Sequence, residues 1–222
     1  MVFGIITLFP EIFESVFQKS IIGRAIDKKI IKVNFVSPRD FTHDRHKTVD
    51  DKPYGGGRGM VMRVDILTAA LESIKPKPYS ILLSPSGKKY TQKTATGLST
   101  KSSVALICGH YEGVDARLDK FVDEVISIGD FVLTGGEIAA MALVDSVTRL
   151  IPGVISEGST ETESFSPTAS LLEYPQYTRP EQFRGLKVPR VLLSGNHKEI
   201  EKWRQKEALK RTQKFRPDLL KK

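Results

Sequence analysis

Residues 125–137 read VISIGDFVLTGGE: a short β-branched run, a loop carrying three glycines, then the first residue of a helical pattern. The same grammar occurs twice upstream, in ILLSPSG (81–87) and VALICGHYEG (104–113). A strand that breaks into a glycine-bearing loop before a helix is the unit of an open parallel sheet. Ligands of such sheets bind beyond the carboxyl ends of the strands. Glycine lets backbone groups approach a ligand closely. Any one of these loops reads equally well as a tight turn; three in succession point to a cofactor pocket. None reads G-x-G-x-x-G or G-x-x-x-x-G-K-[ST], so the usual pyrophosphate cradle is missing. That disfavours NAD and nucleoside triphosphates, and an adenosine ligand without a phosphate chain fits better.

Working outward, five runs read as strands: Val2 to Thr7, Ile31 to Val36, Tyr79 to Ser84, Val104 to Cys108 and Val125 to Ile128. Helical patterns lie between them. One follows Pro10, with Ile12, Phe13, Val16 and Phe17 on one face; others span Asp65 to Ile74 and Glu137 to Arg149. Pro152 ends the last, because the residue before proline avoids the helical region. This alternation predicts an α/β domain with a mostly parallel sheet.

After that helix the texture changes. Of the 13 residues from Ser156 to Thr168, seven are Ser or Thr and three are Glu, a linker composition. The expected organisation is an α/β domain over 1–155, a flexible linker over 156–168 and a small basic helical domain over 169–222.

The 222 residues carry 34 Lys and Arg against 26 Asp and Glu, a net charge of +8. From Arg179 to Lys222 there are 14 basic and 5 acidic residues, so the rest of the chain is close to neutral. A neutral body with a basic appendage indicates a polyanionic partner, most often nucleic acid. Lys198, Lys202, Lys206, Lys210 and Lys214 recur every four residues and form one drifting row on a helix. The plainer reading is a solvated face, with Glu207 and Arg211 paired at i,i+4. No apolar run approaches the roughly 18 residues of a membrane helix. The first residues lack the basic start of a secretory signal. Cys108 is the sole cysteine, so nothing favours an oxidising compartment. The reading is cytoplasmic.

The segment SPRDFTHDRHKTVDDKPYGGGRGM (37–60) packs His43, Asp44, Arg45, His46, Asp50, Asp51 and Arg58 around glycines. The interleaved cations make poor metal chemistry, and a loop folding over a nucleotide is preferred over a plain surface loop.

These stretches, with GIITLFPEIF, DSVTRLIPGV, YPQYTRPEQFRG and VPRVLLSGNHKEIEKWR, resemble the bacterial tRNA (guanine-N1)-methyltransferase family over nearly the whole chain. The resemblance implies an α/β domain tied in a deep trefoil knot, a small helical C-terminal domain and a homodimer with shared active sites. It implies S-adenosylmethionine in the three loops. By position the first gives Leu83, Ser84 and Pro85, and the second Gly109, Tyr111, Glu112 and Gly113. The third gives Ser127, Ile128, Gly129, Asp130, Phe131, Val132, Leu133, Gly135 and Gly136. Leu82 and Phe131 stand where tyrosines are common, Ala139 where proline is common, and His110 at an often basic position. The chain also ends sooner after Pro217 than many relatives, which would trim tRNA contacts.

The implied activity is methylation of N1 of guanosine 37 in tRNA, immediately 3′ of the anticodon, which protects reading frame. Guanine N1 carries a proton, so a base is needed, together with a donor for charge developing on O6. The resemblance assigns Arg149 and Glu163 to catalysis, Glu163 standing where aspartate is usual, with Glu161 and Glu173 as fallback bases. A glutamate in water has a pKa near 4.3, so the assignment needs the linker to order over the guanine and exclude solvent. Tail lysines including Lys198, Lys202 and Lys206, and loop residues His46, Asp50 and Arg58, are the expected tRNA contacts. The family is linked to magnesium, with Glu112 the participant. A catalytically silent RNA binder and a knotted methyltransferase acting on another RNA atom are the alternatives. Arg149 with Glu163 argues against the first, the tail motifs against the second.

Overall fold

The computed structural model describes residues 1–156, 158–160, 163–166 and 171–220. The chain forms two compact units, Met1–Ser156 and Glu157–Lys222. The first runs β1 (Val2–Ile6), α1 (Glu14–Phe17), α2 (Ser20–Asp27), β2 (Lys32–Val36) and a small ladder of β3 (Asp50–Asp51) with β4 (Val61–Met62). It continues through α3 (Val64–Ser73), β5 (Tyr79–Lys89), α4 (Gln92–Ser99), β6 (Ser103–Cys108), β7 (Glu124–Ser127) and α5 (Glu137–Thr148). Five strands make one sheet in the order β2-β1-β6-β5-β7, and every pair in it is parallel. The expected α/β class with a mostly parallel sheet is therefore what the chain adopts.

Period-two alternation sends successive residues of β1, β6 and the first half of β5 to two different cores. Phe3, Ile5, Ile81, Leu83, Val104 and Leu106 face one core with residues of α2, α4 and α5. Ile6, Leu82, Ala105 and Ile107 face the other with Ile66, Leu67 and Ala70 of α3. Strands buried on both faces have no polar side to show. α5 is held by Ala140, Leu143, Val144 and Val147, all essentially buried.

Several local expectations are corrected. The segment after Pro10 is a 3₁₀ turn, Pro10–Phe13, followed by α1. Only Phe13 and Phe17 are buried, while Ile12 and Val16 are 44% and 37% exposed, because a 3₁₀ turn has three residues per turn and rotates the face assumed for a continuous α-helix. β5 runs to Lys89 rather than Ser84. Its pairing with β7 is interrupted between Leu83 and Lys88, so both residues oppose Ile126. The chain leaves the sheet there and returns to the same partner, which no local pattern announces.

In the second unit a two-stranded hairpin, β8 (Gln182–Phe183) with β9 (Leu186–Lys187), precedes α6 (Arg190–Leu193) and the 19-residue α7 (His197–Phe215). Asn196 caps α7 by accepting from the Glu199 amide at 3.3 Å. Residues of the 171–177 segment pack along α7. The Leu172 amide donates to Thr212 Oγ1 at 2.8 Å, Tyr177 lies 6.2 Å from Trp203, and Arg204 sits 4.8 Å over the Tyr174 ring. No helix of the described residues is long and apolar enough to cross a membrane.

Candidate active site

Where β5 leaves β7 after Leu83, and at the carboxyl ends of β6 and β7, the three glycine-bearing loops converge on one cavity of about 270 Å³. Leu83, Ser84 and Pro85 line it from the first loop, and Gly109, Tyr111, Glu112 and Gly113 from the second. Ser127, Ile128, Gly129, Phe131, Val132, Leu133, Gly135 and Gly136 do so from the third. Asp130 does not: its side chain is 91% exposed, with Lys89 Nζ 3.4 Å from Oδ2. Leu82 also faces away, into the core beneath α3, as alternation along a strand requires. His110, Val114, Ile126, Thr134 and Ala139 complete the wall.

The lining is mostly apolar side chain and exposed backbone, with few charges. The loops are fastened to each other by main chain. The Gly136 amide donates to the Gly109 carbonyl at 3.0 Å, and His110 bridges Gly135. A Cβ on Gly136 would stand 2.7 Å from Cys108 Cα, so only glycine permits this approach. Burial pushes the Cys108 thiol well up, with the Glu137 charge adding to the effect; the group is an inert part of the core behind the wall.

Glu137 was not singled out by sequence reasoning, although it opens α5 directly after the two glycines. It is 3% exposed. One oxygen accepts from Thr7 Oγ1 at 2.7 Å, and the other lies 3.0 Å from His110 Nε2. The available signal was an acid in phase with the buried face of α5, where Ala140, Val144 and Val147 follow.

A second glycine-rich segment reaches the cavity rim. The Glu112 amide donates to the Met60 carbonyl and the Met62 amide to the Gly113 carbonyl, each at 3.0 Å. Gly55, Gly56, Gly57 and Gly59 all take positive φ, a conformation that side chains disfavour.

The family profile described as tRNA (Guanine-1)-methyltransferase TrmD matches residues 1–222. The chain belongs to the tRNA (guanine-1)-methyltransferase family. Curated relatives named tRNA (guanine-N(1)-)-methyltransferase include one from Carboxydothermus hydrogenoformans, 56% identical across all of this chain and 88% of the relative. Another from Caldanaerobacter subterraneus subsp. tengcongensis is 56% identical over all of this chain and 92% of its own. A third from Ruminiclostridium cellulolyticum is 53% identical over all of this chain and 97% of its own.

The residues that the family resemblance marks for catalysis belong to different units. Arg149 caps the C-terminus of α5, its amide donating to the Asp145 carbonyl at 3.2 Å. Glu163 opens a short turn in which its carbonyl accepts from the Ser166 amide at 3.2 Å. Glu173 is tied by its amide to Ser164 Oγ and by its carboxylate to Gln176. Glu161 lies outside the described residues.

Among the expected RNA contacts, His46 and Arg58 are exposed and Asp50 is half-buried in the β3–β4 ladder. Asp44 is occupied by Thr48, whose hydroxyl is the main reason its carboxyl sits below the usual range. Lys198, Lys202 and Lys206 are exposed along α7. Glu207 pairs with Lys210 at 2.6 Å rather than with Arg211, since residues three apart on a helix are also neighbours. Lys202 similarly holds Glu199 at 2.9 Å. Among the described residues no three His, Cys, Asp or Glu side chains gather into a metal-ligand set.

Proposed function

We propose that the protein transfers a methyl group from S-adenosylmethionine to N1 of guanosine 37 in tRNA. The observation that carries this reading is the convergence of three glycine-bearing loops on one cavity in a chain that matches the family from end to end. The cavity suits an adenosine compound: its apolar side chains would pack on a purine, and its backbone groups would hydrogen-bond the base and ribose. It offers no phosphate cradle, which this donor does not need. When bound, the donor supplies an electrophilic methyl carried on a positively charged sulfur.

In this reading the chain's own residues prepare the acceptor. Glu163 takes the proton from guanine N1 as the base, and Arg149 holds the negative charge that develops on O6. Glu163 works only once solvent is excluded, which assigns the 156–168 segment the task of closing over the substrate. Lys198, Lys202 and Lys206 hold tRNA phosphates, while His46, Asp50 and Arg58 contact the anticodon side. The reading includes a trefoil-knotted domain over 1–155, a tRNA-docking domain over 169–222, a homodimer with shared active sites, and a cytoplasmic setting. For magnesium, the described residues offer no protein cage.

The test is to incubate the protein with labelled S-adenosylmethionine and tRNA transcripts bearing or lacking guanosine 37. Label in the first alone, recovered as 1-methylguanosine, supports the reading. Equal labelling of both, or of neither, overturns it.

A further inference from the structure

Thr7 and Glu137, both buried, and the half-buried His110 form a polar chain that the reaction above leaves without a task. Neither Thr7 nor Glu137 lines the cavity, yet His110 does. Thr7 is 1% exposed at the end of β1 and lies 130 positions from Glu137 in sequence. Its oxygen also accepts from the Phe9 amide at 3.0 Å. Both oxygens of the Glu137 carboxylate are engaged, as burial of such a group demands. A carboxylate only accepts, so Nε2 of His110 carries the hydrogen, a tautomer assigned from this network.

His110 is held further through its ring and its backbone. The Phe9 ring meets it edge-on at 4.9 Å, and the His110 amide points at Met62 Sδ at 3.3 Å. The next residue explains why such fastening matters. Tyr111 takes φ 61, the left-handed region that a tyrosine seldom adopts. A backbone of that kind persists only when its surroundings over-determine it. Main-chain bonds hold Glu112 to Met60 and Gly113 to Met62 and to the His110 carbonyl, and the His110 side chain is the one side-chain anchor described on the other flank of Tyr111.

We propose that Glu137 is a positioning residue for the cofactor pocket. Acting through His110, and braced by Thr7, it holds the Tyr111–Gly113 lip in the shape that binds the adenosyl donor. The inference rests on the cofactor reading above and adds the residue behind the wall that sustains the pocket. Loss of the carboxylate lets the lip sample other conformations, and apparent affinity falls with the fraction of molecules that stay competent.

The test uses the full chain and S-adenosylhomocysteine, the unreactive product of the donor, measured by titration calorimetry. Glu137→Gln and His110→Ala should each weaken it by about tenfold, the size of one lost hydrogen bond to a charged group. The double variant should be no worse than either single one, because the two residues act as one unit. The KM for tRNA should stay within about twofold, which general loosening of the fold would not spare. Thr7→Val, nearly isosteric, should weaken binding less, and it stands in if Glu137→Gln does not fold. Unchanged affinity in Glu137→Gln, or in Thr7→Val where it stands in, overturns the proposal; so do single losses that multiply in the double variant. Failure of the unaltered protein to bind S-adenosylhomocysteine removes the cofactor reading itself, and this proposal with it.

Discussion

The Gly136 amide donates to the Gly109 carbonyl at 3.0 Å, joining the start of α5 to the end of β6. This bond closes the cavity because nothing projects from Gly136 between the two segments. A methyl group there would press on Cys108 Cα, which is backbone and cannot swing aside. Gly136→Ala should therefore destabilise the protein by about 1–3 kcal/mol and weaken donor binding together with it. Gly97, inside α4, is the control, since a methyl group added there would meet nothing within 4 Å. Gly97→Ala should gain about 0.5–1 kcal/mol by helix propensity and lower unfolded-state entropy. Thermal unfolding of the two variants checks both signs.

Glu163→Gln keeps size and polarity but cannot accept the guanine proton at neutral pH. Its turnover should drop by about 10²–10⁴, while S-adenosylhomocysteine affinity stays within about twofold. Single-turnover kinetics with saturating tRNA read the first quantity and calorimetry the second. Full activity would move the base elsewhere.

The lysine row on α7 makes a prediction about salt. Each lysine that neutralises a phosphate adds to the slope of log affinity against log salt concentration. Lys206→Gln should lower that slope by about one unit and weaken all tRNAs alike. Lys202, already engaged by Glu199, should contribute less. Filter binding across a salt series separates the two.

Stability in acid should report on Asp115. Arg117 grips its carboxylate through Nε and Nη2, at 2.9 and 2.6 Å. That side-chain hydrogen bonding, chiefly, lowers its pKa to about 2. The folded value lies below the unfolded one of about 3.9, so the contribution is complete above pH ~4 and is lost as pH falls toward 2. Arg117 is largely exposed, which limits the effect to below about 1 kcal/mol. Asp115→Asn should flatten this part of the stability profile, as urea unfolding between pH 5 and 2 would show.

Particular elements show how much was legible beforehand. All five strands of the sheet were readable, since each is a short β-branched run between breakers. α3 and α5 were readable too, because their apolar residues recur at helical spacing over ten or more positions. α2 and α4 were not. Each is eight residues long and holds a glycine, and helices of that length form only when docked. The cavity wall was legible through its glycines, and the family resemblance named most of its residues. Asp130 sits among them in sequence, and its side chain faces solvent.

The amino-acid order alone determined the strands, the glycine-bearing loops, the basic tail and the family, because each is written in neighbouring residues. Only the tertiary structure decided that β1 lies beside β6, that β5 leaves β7 and returns to the same Ile126, and that Thr7 meets Glu137. Periodicity tells a residue which face it buries but not what it will be buried against. The partner is chosen by packing and hydrogen bonding between segments far apart in the chain, and those terms exist only once the fold has closed.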